Sequence, residues 1–250
     1  MKDVRAKKHL GQHFLNDETI AFNITKLLNN NTRNVVEIGP GMGILTQFLV
    51  KNDYKTEVIE IDTESVFYLR LNYPKLDIHE GDFLQINLKK KYPYNFSLIG
   101  NFPYNISSQI LFKVFENKDQ IHEIVGMFQK EVAERVTSKK GKKRGILSVF
   151  LQTFYDIEYC FTVNEDVFNP APKVKSGVIK LVRNERKKLS VDEKKFKRVV
   201  KAGFHQKRKT LKNALKPFKL INESKIANLL PLRAEQLTVD DFIRLTNHVQ

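Results

Sequence analysis

Five apolar, β-branched segments recur along the first half of the chain, at Asn34 to Ile38, Thr56 to Ile61, Leu76 to His79, Phe96 to Gly100 and Glu123 to Phe128, with helix-like stretches between them. Strands that alternate with helices pair in parallel, because each crossover needs a helix's length of chain, and the resulting sheet is covered on both faces. The expected fold is therefore α/β, with a mostly parallel sheet and helices on both faces. Two later segments, Asp156 to Val163 and Gly177 to Val182, alternate apolar and polar residues more openly, as antiparallel strands near one edge do. They bring the expected sheet to seven strands.

From Asn184 onward the strand signal stops. Asp192 to His205, Thr210 to Leu215, Glu223 to Leu229 and Asp240 to His248 have helical spacing. Residues 1–183 are thus expected to form the α/β domain and residues 184–250 a small all-helical one. Charge is unevenly shared: the chain has 43 Lys+Arg against 28 Asp+Glu, a net +15, and residues 184–250 hold 17 basic and 7 acidic residues, or +10 of it. Such an excess points to a polyanion, with nucleic acid the leading partner. A second basic cluster, Lys139-Lys140-Gly141-Lys142-Lys143-Arg144, reads either as a solvated loop or as a phosphate contact.

With 41% hydrophobic residues the chain can build an ordinary core. Its one cysteine, Cys160, leaves no disulfide or cysteine metal site within a chain, and the histidines have no metal-ligand spacing, so no metal is expected. The basic start, Met1 to Lys8, is followed by no apolar h-region, and no run reaches the roughly 18 apolar residues of a membrane span. A cytoplasmic protein without membrane contact is the expectation.

Chemistry-bearing residues fall at the strand ends. Val35-Val36-Glu37-Ile38-Gly39-Pro40-Gly41-Met42-Gly43 reads as a buried strand entering a glycine-rich turn that starts a helix, where backbone can approach a ligand. Val58-Ile59-Glu60-Ile61-Asp62 ends the second strand with a carboxylate, Glu60, where a doubly wound fold grips the hydroxyls of a cofactor ribose; NAD would be served equally well. Gly81-Asp82-Phe83 follows the third strand, with Asp82 either accepting from an adenine amino group or capping the next turn. Asn101-Phe102-Pro103-Tyr104 follows the fourth. There the Asn101 side-chain oxygen and the Pro103 carbonyl can accept from an exocyclic NH2 while Tyr104 offers a stacking face, although the same residues suit an ordinary turn. Holding an amino nitrogen in this way draws its lone pair out of conjugation and readies it to attack a sulfonium methyl, with no obligatory general base. In a doubly wound sheet, Gly39, Glu60, Asp82 and Asn101 converge on one crevice.

With those residues in place, the chain resembles the KsgA/RsmA family of small-subunit ribosomal RNA adenine dimethyltransferases. The likeness runs through Leu10-Gly11-Gln12-His13-Phe14-Leu15, the glycine turn, Ile59-Glu60-Ile61-Asp62, Gly81-Asp82, Gly100 to Ser108, Gln129 to Arg135, Phe168-Asn169-Pro170-Ala171-Pro172-Lys173-Val174-Lys175-Ser176, Gln206 to Leu211 and Arg233-Ala234-Glu235. The resemblance implies a Rossmann-like class I methyltransferase domain that binds S-adenosylmethionine and a basic helical RNA-binding domain. It implies dimethylation of the N6 amines of two adjacent adenosines in the 3′-terminal stem-loop of 16S rRNA, by a monomer acting on the small ribosomal subunit or its precursor. By similarity, His13, Leu15, Gly39, Glu60, Asp82 and Asn101 bind the cofactor; Asn101, Pro103, Tyr104 and Phe168 are catalytic, with Phe168 and Tyr104 sandwiching the base. Lys207, Arg208 and Lys209 would face RNA phosphates.

Two residues depart from the commoner family pattern: His13 stands in place of asparagine, and Phe102 in place of leucine or isoleucine. A rival enzyme class, the erythromycin-resistance methyltransferases, shares the cofactor motifs but modifies large-subunit RNA. A rival of another kind is an RNA-binding assembly factor without turnover. The basic Gln206 to Leu211 segment and the Phe168 motif favour the small-subunit enzyme over the first, and intact Glu60, Asp82, Asn101, Pro103 and Tyr104 favour it over the second.

Overall fold

The computed structural model describes residues 4–29, 32–206 and 208–250. The chain divides into two compact units, Met1–Ala133 with Ile157–Arg183, and Glu134–Asp156 with Asn184–Gln250. In the first unit, β1 (Asn34–Ile38), β2 (Lys55–Glu60), β3 (Asp77–Glu80), β4 (Phe96–Asn101) and β5 (Ile121–Gln129) pair in parallel. With β6 (Tyr155–Val163) and β7 (Ser176–Arg183) they form one sheet of order β3-β2-β1-β4-β5-β7-β6, in which β7 runs antiparallel to β5. Phe96, Leu98 and Ile99 of β4 are fully buried, as continuous apolar runs in a covered parallel sheet should be. The order turns back beside β1, which lies between β2 and β4, so a crevice opens beyond the carboxyl ends of these strands.

Helix α1 (Glu18–Thr25) precedes β1, and α2 (Thr46–Lys51), α3 (Thr63–Asn72) and α4 (Ser107–Glu116) lie between the strands. Asp17 caps α1 by accepting from the Ile20 N–H, and Asp62 caps α3 by accepting from Glu64, each satisfying a donor that the first turn leaves open. A small feature escapes the strand pattern altogether. Phe14–Leu15 pairs antiparallel with Phe168–Asn169, a ribbon too short for any periodicity to reveal.

The division between the units falls inside α5 (Lys130–Thr137). The second unit packs α6 (Ile146–Phe154), α7 (Glu193–His205) and α8 (Val239–Asn247) around aromatic rings, Phe150 with Phe196 at 6.3 Å and Phe204 with Phe242 at 5.9 Å. Asp192 caps α7 through the Lys195 N–H, and Thr238 and Asp241 exchange hydrogen bonds in a capping box at α8. The expected boundary lies between residues 183 and 184; the structure also places residues 134–156 with the C-terminal helices. The reason is the Phe150 to Phe196 contact, because helical spacing alone does not say which layer a helix covers. Of the expected C-terminal helices, Thr210 to Leu215 shrinks to one turn, Leu211–Ala214, and Glu223 to Leu229 to the 3-10 turn Glu223–Ile226.

Candidate active site

Gly39, Glu60, Asp82 and Asn101 line a single cavity at the carboxyl ends of β1, β2, β3 and β4, together with Ile61, Phe83, Phe102, Pro103 and Tyr104. The parallel register brings them there: the Gly39 N–H donates to Ile59 at 2.9 Å and the Gly81 N–H to Glu60 at 2.8 Å, so neighbouring strands end level. Gly39 and Gly41 have φ of 63° and 56°, the left-handed region that glycine enters freely. A Cβ on Gly41 would lie 2.8 Å from the Phe14 ring, so the turn has room for backbone and for nothing larger. Helix α2 begins only at Thr46, after a hydrogen-bonded turn, and not directly at the glycines.

Glu60 is 4% exposed, yet three backbone N–H groups, of Gly41, Ile61 and Asp62, donate to its carboxylate at 2.9 to 3.1 Å. Burial raises its pKa, and those three bonds oppose the rise. A carboxylate offers about four lone-pair sites, so one acceptor position is left over for a ligand hydroxyl. Beside it, Ile61 leaves an apolar side chain 50% exposed at the cavity wall. Asp82 lines the cavity and also caps the following turn by accepting from the Leu84 N–H at 2.8 Å.

Residues 7 to 13 form a strap along the cavity, held by the carboxylate of Asp62. Asp62 accepts from the Lys7 ammonium, from the Gln12 amide at 3.2 Å and from the Ser65 hydroxyl at 3.0 Å. Burial works against its charge, but these donors hold its pKa below the usual carboxylate value. The strap brings His13 into the cavity lining. Its Nδ1 lies 2.7 Å from the Pro170 carbonyl. A carbonyl only accepts, so Nδ1 carries the proton. The imidazole also stacks on the Tyr104 ring at 5.4 Å.

The Asn101 amide donates through Nδ2 to the His13 carbonyl at 2.9 Å. Because that partner only accepts, the orientation of the amide follows from it, and Oδ1 is left as an acceptor. Pro103 corrects the sequence-based expectation. Its carbonyl already accepts from the Ser107 hydroxyl at 3.0 Å and the Ile106 N–H at 3.3 Å, which uses both lone pairs. The Phe102 carbonyl, one residue earlier, accepts no main-chain hydrogen bond among the described residues. The Phe102 ring is buried at 1% exposure, stacked on Phe128 at 4.7 Å, so this departure from leucine or isoleucine is absorbed by the core and adds nothing to the cavity's polar groups.

Tyr104 is held by its hydroxyl, which hydrogen-bonds Ser176, a residue that no motif reading singled out as a site. Burial raises the Tyr104 pKa, so the phenol is neutral throughout the physiological range. Phe168 and Leu15 do not join the cavity. Both are 4% exposed and belong to the apolar cluster of Ile24, Met127 and Val178, where the two-residue ribbon turns their side chains inward. Phe168 thus packs in the core here, where it anchors the segment that carries Pro170 and Ser176.

Glu37 lies just under the glycine turn, 1% exposed, with one hydrogen bond from the Thr46 hydroxyl at 2.7 Å. Burial pushes its pKa up to about 8 against an ordinary 4.5. Between those two values the folded chain holds a proton that the unfolded chain has released, so stability falls as pH rises from 4.5 and the loss is complete above about 8. Glu37→Gln removes the penalty, which is on the order of a few kcal/mol. Its melting temperature should match the parent's near pH 5 and exceed it increasingly up to about pH 8. A difference that does not change with pH would show that Glu37 titrates normally.

The second unit corrects one further expectation. Arg144 belongs to the interior of that unit, 1% exposed, and spends its guanidinium on the Ser138 carbonyl and the Gln152 amide oxygen; burial lowers its pKa to about 10. Lys143 pairs with Glu134. Only Lys139, Lys140 and Lys142 of that cluster remain as exposed lysines without an ion pair among the described residues. Arg208 and Lys209 are exposed, as are Lys201 and Lys212, while Lys207 lies outside the described residues.

The family model for ribosomal RNA adenine dimethylases matches residues 4–250. The chain is 57% identical to the ribosomal RNA small subunit methyltransferase A of Cytophaga hutchinsonii, over 99% of this chain and 98% of that one. Among solved structures, a dimethyladenosine transferase from Plasmodium falciparum superposes with a TM-score of 0.79 at 25% identity, covering 95% of this chain and 99% of that one. The 23S rRNA methyltransferase ErmE, at 22% identity and a TM-score of 0.74 over 94% and 98% of the two chains, shares the fold.

Proposed function

The chain belongs to the ribosomal RNA adenine dimethylase family, and from that premise we propose how its cavity dimethylates adenosine in 16S rRNA. The enzyme is an adenine-N6,N6-dimethyltransferase of the small ribosomal subunit that uses S-adenosylmethionine. The observation that carries the proposal is the pair of acceptors, Asn101 Oδ1 and the Phe102 carbonyl, in a cavity bounded by the Tyr104 ring.

The cavity fits the cofactor on its own geometry. The glycine turn admits only close backbone, Glu60 keeps an acceptor for ribose hydroxyls, and Ile61 offers an uncovered apolar wall beside Asp82, as an adenine needs. Gly39, Glu60 and Asp82 hold the cofactor, with His13 and Leu15 contributing through the strap and its ribbon. When bound, S-adenosylmethionine supplies an electrophilic methyl on sulfonium sulfur.

The protein's part is to present the nucleophile. An unpaired adenosine leaves its stack and lies against Tyr104, whose position is fixed by Ser176 and His13. Asn101 Oδ1 and the Phe102 carbonyl accept the two N–H groups of the amine, which turns its lone pair out of the ring plane. After the first transfer one N–H has become N–CH3, so the second transfer proceeds with a single acceptor bonded. The proton released at each step leaves to solvent. All these residues come from one unit, and the monomer is the proposed acting form; no helix among the described residues is long and apolar enough to cross a membrane, and a cytoplasmic site of action accords with the substrate.

The basic helical unit holds the RNA. Charge reversal at Arg208 and Lys209 should weaken binding of every RNA and reduce the slope of log affinity against log salt by roughly one to two, because phosphate contacts position without reading sequence. Unchanged affinity and slope would move the phosphate face elsewhere. The reading as a whole is tested by S-adenosylhomocysteine release with undermethylated small and large subunits supplied separately. Release with small subunits alone supports it, and release with large subunits alone overturns it.

A further inference from the structure

The segment that presents Asp82 and Phe83 is weakly supported by the sheet. It follows β3, the four-residue edge strand, and contains only the 3-10 turn Phe83–Gln85 before the next helical residues. A second anchor comes from α4. Lys113 donates through Nζ to the carbonyls of Leu84 at 2.8 Å and Ile86 at 2.6 Å, and the same ammonium stands 5.1 Å from the centroid of the Phe83 ring. One side chain therefore grips both sides of the turn and the ring inside it. Helix α4 itself starts at Ser107, directly after the Asn101 to Ile106 loop, and Ser107 is tied to the Pro103 carbonyl. Lys113 thus joins the two loops at opposite ends of the cavity.

We propose that Lys113 is a positioning residue for the adenine end of the cofactor site, locking the Asp82–Phe83 turn to the helix that carries the Asn101–Tyr104 loop. The proposal deepens the function given above and rests on Asp82 contacting adenine. Burial opposes the ammonium's charge and lowers its pKa, while Asp82 and Glu116 act in the other direction. A buried or half-buried lysine is costly to keep, and the carbonyl pair with the Phe83 face is what this one is kept for. Methionine at position 113 keeps the length and loses the donors. Arginine keeps charge and donors in another shape.

Binding of S-adenosylhomocysteine and of 5′-methylthioadenosine, which keeps the adenosine and lacks the amino-acid end, separates the alternatives. Lys113→Met should weaken both by about tenfold, with kcat at saturating cofactor within about twofold of the parent, and Lys113→Arg should regain most of the affinity. Parent-like affinity of folded Lys113→Met for both ligands would overturn the proposal, as would a loss confined to kcat. If Lys113→Met fails to fold, Lys113→Gln and Lys113→Arg carry the same comparison. Failure of the parent protein to bind either ligand would instead overturn the reading of the cavity as a cofactor site.

Discussion

Asn101→Ala is expected to lower single-turnover methyl transfer by on the order of 10²-fold or more, the usual loss when one preorganised polar partner of a reacting group is removed. Affinity for the RNA should stay within about twofold, since positioning by phosphates lies in another part of the molecule. The effect is large because the amide is fixed in advance: Nδ2 is held by the His13 carbonyl, so Oδ1 costs no reorganisation when the amine arrives. Asn101→Asp is no conservative substitute, because it places a carboxylate oxygen against that same carbonyl. Single-turnover rates and filter binding measured together check the prediction. Normal turnover by Asn101→Ala would remove the residue from the reaction.

Gly126→Ala is expected to destabilise the first unit by about 3 kcal/mol, near the upper end for overpacked cores, and to lower the melting temperature by roughly 6 to 12 °C. A Cβ on Gly126 would sit 2.0 Å from Phe102 Cε2 and 3.1 Å from the Gly100 carbonyl. No rotamer relieves the first contact while Phe102 stacks on Phe128. The displaced ring would carry the Phe102 carbonyl and Pro103 with it, so activity should fall beyond the loss of folded protein. Because the severe part of the clash is with one side chain, Phe102→Leu in the same chain should restore most of both. Calorimetry of the single and double variants decides the matter, and a Gly126→Ala protein as stable as its parent would refute the packing described here.

Much of this was legible before any coordinates. Parallel strands buried on both faces write themselves as apolar runs, which is why β1, β2, β4 and β5 were placed within a residue or two, and the residues at their ends, Gly39, Glu60, Asp82 and Asn101, meet in one cavity. What sequence could not show was mostly which partner each polar group and ring would take. The Pro103 carbonyl is consumed by Ser107 and Ile106, four and three residues on, so the main-chain acceptor shifts to Phe102. That Phe168 packs in the core follows from its ribbon with Leu15, which the sequence does not announce. Arg144 looked like surface charge until Ser138 and Gln152 enclosed it. Residues 134–156 carry a helical period that says nothing about which unit the helix joins.

The most direct test of the central claim is to incubate the protein with labelled S-adenosylmethionine and undermethylated small subunits, then identify the modified residues by mass spectrometry of nuclease fragments. N6,N6-dimethyladenosine at two adjacent positions near the 3′ end of 16S rRNA is the predicted result. Methyl groups at any other position or atom, or none at all, would contradict it.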